Sequence, residues 1–122
     1  MERIEEFTRN GKDFIWFDLS GFKTNEEFIQ LIEDSKPIVQ KYGERSLHTI
    51  THIEGVKFDT KTKKIIAEWM THNKPYVKHG VVTGMDAIKK IMVNAIFALS
   101  GRKNMNFAST REQAIEWLLK QE

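Results

Sequence analysis

Asn10-Gly11-Lys12-Asp13-Phe14-Ile15-Trp16-Phe17-Asp18-Leu19 is the stretch that decides the fold. Asn and Gly both tolerate the positive φ of a two-residue type I′ turn, so Arg3–Arg9 reads as an edge strand folding back into Lys12–Leu19. Along the second strand Phe14 and Trp16 alternate with Ile15 and Phe17. Apolar side chains thus leave both faces, the pattern of a strand inside a sheet that is covered on both sides. Gly21 ends it.

Downstream, Thr24-Asn25-Glu26-Glu27 is a capping box, and the helix it opens carries Phe28, Leu31 and Ile32 on one stripe. Pro37 predicts a kink or restart, with a second segment Ile38–Tyr42 closing at Gly43. Ser46–Ile53 is rich in β-branched residues and predicts a strand. Asp59 or Thr60 caps the next helix, whose stripe is Ile65, Ile66, Trp69 and Met70 and whose end is marked by Asn73 and Pro75. A short strand at Gly80–Thr83, a helix from Asp86 to Ser100 stopped by Gly101, and a strand at Asn104–Ala108 follow. Ser109-Thr110-Arg111-Glu112 is a second capping box, opening a helix with Ala114, Ile115, Trp117 and Leu118. The order β-β-α-β-α-β-α-β-α predicts a single α/β domain over residues 1–122. Its sheet is mixed and mostly parallel, with an N-terminal antiparallel hairpin strand and four helices. The three tryptophans, Trp16, Trp69 and Trp117, read as core anchors.

The chain has 122 residues, 40% of them apolar and 30% charged, enough for one sizeable core and too few for two. No apolar run nears the ~20 residues that span a bilayer, so stable membrane insertion is not expected. The acidic start Met1-Glu2-Arg3-Ile4-Glu5-Glu6 does not read as a signal peptide. There is no cysteine, hence no disulfide and no thiolate chemistry, and a cytoplasmic location is the expectation. Charge is divided unevenly: residues 1–34 hold nine acids and four bases, residues 35–122 fifteen bases and eight acids. Without an Arg-rich tail this weak basic bias does not predict nucleic-acid binding.

Candidate chemistry is sparse. His48 and His52 fall on one face of a strand but ~13 Å apart, too far to share a metal. His72 and His79 flank Pro75 on an expected loop, so neither a metal nor a cofactor is predicted. No Gly-x-Ser-x-Gly or phosphate-loop motif is present. Asp13, Asp18 and Asp59 could come together at strand ends, and Asp18, Asp59 or a histidine are the candidates for acid–base work should the chain be an enzyme. The lysine cluster Lys57, Lys61, Lys63, Lys64, Lys74, Lys78 is opposed only by Asp59 and Glu68. It reads as solvated charge or as a patch for an acidic partner or an anionic headgroup. In the Asp86–Ser100 helix, Ile88, Ile91, Met92, Ala95 and Leu99 read as the core stripe. Val93, Ile96 and Phe97 widen it, so the helix is buried on two sides, or its extra face meets a partner chain or an apolar ligand.

Several strings resemble a known family. Phe14-Ile15-Trp16-Phe17-Asp18-Leu19-Ser20-Gly21 is similar to the second strand of STAS domains. Val81-Val82 with Met85-Asp86-Ala87-Ile88-Lys89-Lys90-Ile91-Met92 resembles their later strand and amphipathic helix. The closing Ala114-Ile115-Glu116-Trp117-Leu118 resembles the SpoIIAA-like branch, related to bacterial anti-sigma-factor antagonists. The resemblance covers residues 4 to 119.

It implies a non-enzymatic regulatory domain that binds a protein partner or itself, as a homodimer. In regulatory members a Ser or Thr opening the second long helix, usually within Asp-Ser-Ser-Gly, is phosphorylated. Here Asp59-Thr60-Lys61-Thr62 keeps the acid and one hydroxyl, which makes Thr60 the candidate switch, with Lys61, Lys63 and Lys64 as an anion patch. The resemblance also implies an alternative, a small apolar-ligand carrier with a lipid-like cargo between sheet and helices. The candidate partner or ligand face is then Trp69, Val93, Ile96 and Phe97.

Overall fold

Asn10 and Gly11 take φ 54° and 78°, the left-handed pair that a tight hairpin needs. The turn folds β1 (Ile4–Arg9) onto β2 (Lys12–Asp18) with Arg9 opposite Lys12. These positions come from a computed structural model that describes residues 3–121. From β2 the chain alternates through α1 (Asn25–Val39), β3 (Leu47–His52), α2 (Thr60–Asn73), β4 (Val77–Thr83), α3 (Ala87–Ser100), β5 (Met105–Phe107) and α4 (Arg111–Leu119). The five strands lie in sequence order, β1-β2-β3-β4-β5; β1 is antiparallel to β2 and every other pair is parallel.

Crossovers that always step the same way place their helices on one face, and α1, α2 and α3 share that face. They pack on Ile15, Phe17, Leu47, Val77 and Val82. The opposite face is covered by α4 alone, through Ala114, Ile115 and Leu118 against Phe14, Ile50 and Val81. Strand β2 feeds both layers, as its alternation predicts: Ile15 and Phe17 enter one core and Phe14 the other, all buried. Trp16 is half-buried beneath Arg111, whose guanidinium lies 4.7 Å from its ring and 5.0 Å from that of Phe7.

Three expectations fail locally. α1 runs through Pro37 to Val39 without a restart, and its cap is Gln40 rather than Gly43. Pro37 sits on the exposed side in the last turn, where water can take up the carbonyl that loses its donor. β4 starts at Val77, so His79 is in a strand and His72 in α2, not on a loop. The last helix is capped by Thr110, which accepts from the Gln113 N–H, one residue later than a Ser109 box would place it.

Candidate functional site

α3 begins at Asp86, whose carboxylate accepts the Lys89 N–H at 2.8 Å, and ends on Gly101 at φ 70°. Between these caps Val93 (4% exposed), Ile96 (1%) and Ser100 face the core, with Phe97 half-buried against Phe107. The outer side carries Ile88 (72%), Ile91 (72%) and Leu99 (69%), with exposed Ala95 and Ala98 between them. The expected core stripe thus faces water at Ile88, Ile91, Ala95 and Leu99 and is half-buried at Met92, while Val93, Ile96 and Phe97 face inward. Helical spacing supplies two adjoining apolar stripes, and the position of α2 and the sheet chooses between them.

Trp69 is not on a partner face either. It is buried between α1 and α2, edge-on to Phe17 at 5.0 Å, and its indole N–H donates to Ser35 Oγ at 3.0 Å. The Ser35 hydroxyl in turn donates to the Ile32 carbonyl at 2.8 Å. Between the sheet and helices α2 and α3, the space lined by Phe58, Met70, Val93, Ile96 and Phe97 is about 40 Å³. Small-molecule sites typically occupy ~300–1,000 Å³, well above this space.

Thr60 is exposed in the first turn of α2, next to the capping Asp59. The Asp59 carboxylate accepts the Thr62 N–H at 2.7 Å and is held below the usual aspartate range by that bond first of all. Thr62 itself is buried, its hydroxyl bridging Asn25 (2.7 Å) and Asp59 (2.8 Å). Lys61 and Lys64 lie one turn apart and share an exposed side with Glu68, whereas Lys63, two residues from Lys61, turns away half-buried. Of Lys61, Lys63 and Lys64, the pair that stands exposed on one side of the helix is Lys61 with Lys64.

The strand ends hold the acid–base candidates, each in structural bonds. Asp18 accepts the Ser20 N–H at 2.9 Å and lies 3.9 Å from Arg3. His52 stacks on Trp16 with its Nδ1 2.8 Å from Thr83 Oγ1, and Thr83 is fully buried. Gly84 lets the imidazole in: a Cβ there would come within 2.8 Å of the ring and of the Glu54 N, and its φ is 81°. Among the described residues no group of three or more His, Asp or Glu side chains could hold a metal ion, and no helix is long and apolar enough to cross a membrane.

Two features had no sequence signal. His48 is 4% exposed, and a register shift at Lys78 sets it beside His79, with ring centroids 6.2 Å apart. Burial holds its pKa below the ordinary histidine value, and nearby Lys12, His79 and Lys78 act the same way. Along the β1 edge, a cleft of about 660 Å³ runs between β1 and α1, floored by Ile4, Phe22, Leu31 and Ile38 and rimmed by Glu26 and Asp34. No family model matches this sequence, and no curated protein matches it.

Proposed function

We propose that this chain is a cytoplasmic, non-enzymatic binding domain of the STAS, SpoIIAA-like kind that acts by protein–protein contact through the outer face of α3. The observation that carries the reading is the row Ile88, Ile91 and Leu99, three large aliphatics about 70% exposed on one helix side. Contiguous exposed aliphatics mark interaction sites on soluble domains. Fully covering one such side chain is worth ~1.5–3 kcal/mol of removed apolar surface. The order of elements, with its antiparallel first strand and closing helix, supports the STAS likeness. The commitment of Asp18, Asp59 and His52 to local structural bonds supports a binding role over catalysis. Phosphate on exposed Thr60 would meet the N-terminus of α2 and Lys61 and Lys64 but also the Asp59 carboxylate, and would change the charge beside this surface.

A photoreactive benzophenone amino acid at position 91, compared with one at exposed position 116 on α4, tests the contact in the cells of origin. Discrete protein adducts at 91, absent at 116 and abolished by Ile88→Glu, are expected. No adduct at 91, or the same adducts at both positions, overturns the reading.

A further inference from the structure

We propose that the partner of the α3 face is a second copy of this chain, seated head-to-tail in the cleft between β1 and α1. The inference rests on reading α3 as a protein-contact face and names its occupant. Three observations carry it. The first is charge. Around the α3 row lie Lys64 beside Leu99, Lys74 beside Gly101, and Lys89 and Lys90 on α3 itself, against Glu68 and Asp86. The cleft is acidic at its rim, through Glu26 and Asp34, and the one cation that lines it among the described residues is already engaged. That cation, Arg3, donates to the Asp18 and Ser20 carbonyls and lies 4.5 Å from the Phe22 ring centre.

The second observation is shape. From Ile88 to Leu99 the row extends ~16 Å at helical rise, and the stretch of α1 that lines the cleft, Glu26 to Ile38, extends ~18 Å. An apolar row with basic flanks thus meets a cleft of similar length that has apolar residues on its floor and acids on its rim. The third is placement. α3 connects β4 to β5 at one edge of the sheet, whereas the cleft follows β1 at the other. Docking one into the other continues the helix layer from copy to copy. A symmetric α3-on-α3 pair would instead set lysines against lysines. Because the two surfaces differ, the contact is heterologous and propagates into a chain or closes into a ring.

Sedimentation velocity and light scattering of the whole chain, from low micromolar to low millimolar, test this with two exposed double variants. Ile88→Glu with Ile91→Glu blocks the row; Glu26→Lys with Asp34→Lys blocks the cleft and leaves the capping Glu27 in place. Wild type is expected to grow beyond dimer with concentration and to dissociate as salt rises from roughly 0.05 M to roughly 0.5 M, since the flanking charges are exposed. Each variant alone is expected to be monomeric, with self-affinity lowered about tenfold or more. Mixed, they should form a one-to-one heterodimer that grows no further, because one intact row meets one intact cleft. A wild type that stays monomeric, or a cleft variant that still dimerises through α3, overturns the inference. A monomer that nonetheless gives adducts with another protein at position 91 overturns self-docking alone; a monomer with no adducts removes the contact face as well.

Discussion

At the scale of single residues, the polar groups closed inside the molecule set the sharpest tests. Trp69 fills the seam between α1 and α2, and Ser35 answers its N–H. Ser35→Ala leaves a buried donor unpaired and should cost ~1–3 kcal/mol in urea unfolding. Adding Trp69→Phe should cost less than the two single losses combined, because the second change removes the orphaned donor. His48 gives a pH test. Its folded pKa lies below the unfolded value, so between the two the unfolded state binds more protons and stability rises with pH. The benefit of a neutral His48 is complete above ~6.5 and is lost as pH falls from there toward the folded pKa. Thermal unfolding between pH 7.5 and 5.5 should slope by up to ~1.4 kcal/mol per pH unit from this group, and His48→Phe, placed against the Phe14 ring, should flatten it. Arg102 is a third case: buried without a carboxylate, it donates to the Met70 carbonyl at 3.2 Å and to Asn104 Oδ1 at 3.0 Å. Burial lowers its pKa to about 10, which leaves it charged at neutral pH. The pairings of Trp69 with Ser35, of Arg102 with Met70 and of His48 with His79 were not legible in the sequence, because each partner is 30 or more positions away.

At the scale of elements, most helix starts were readable and the faces were not. Caps are local: Thr24 with Glu27, Asp59, Asp86 and Gly101 stop or start helices through groups a few residues away, so spacing alone finds them. Which side of α3 looks inward depends on α2 and the sheet, and spacing misassigned it. Substitution separates the two assignments. Ile96→Ala should cost ~2–5 kcal/mol as a buried truncation. Ile91→Ala, on the water side, should stay within ~0.5 kcal/mol. Chemical denaturation of the two variants, side by side, checks the facing. Pro37 carries the same lesson, since its effect on α1 is set by solvent access to the last turn and not by the residue itself.

At the scale of the whole molecule, the two faces of the sheet are unequally covered. Three helices shield one, and only α4, nine residues long, shields the other. Stopping the chain after Ser109 would uncover Phe14, Ile50 and Val81, all fully buried in the intact domain. Such a chain should lose near-ultraviolet circular dichroism and aggregate, since a single α/β domain has only ~5–15 kcal/mol to lose. The same asymmetry gives the molecule a basic, apolar edge at α3 and an acidic, apolar cleft at β1. The division of charge between residues 1–34 and 35–122 was visible as a count, but that Lys89 and Lys90 fall at one edge of the sheet and Glu26 and Asp34 beside the other is a property of the strand order.

What the sequence determined by itself is therefore the run of elements, their caps, the hairpin at Asn10-Gly11 and the interior place of β2. These follow from backbone preference and from periodicity, which act over a few residues. Tertiary structure alone decided which stripe of α3 meets water, that His48 lies beside His79, that Trp69 is closed off by Ser35, and that a cleft opens beside β1. Each of these depends on surfaces brought together from distant parts of the chain, and an amphipathic pattern fixes that a helix has a buried side without fixing which neighbours will cover it.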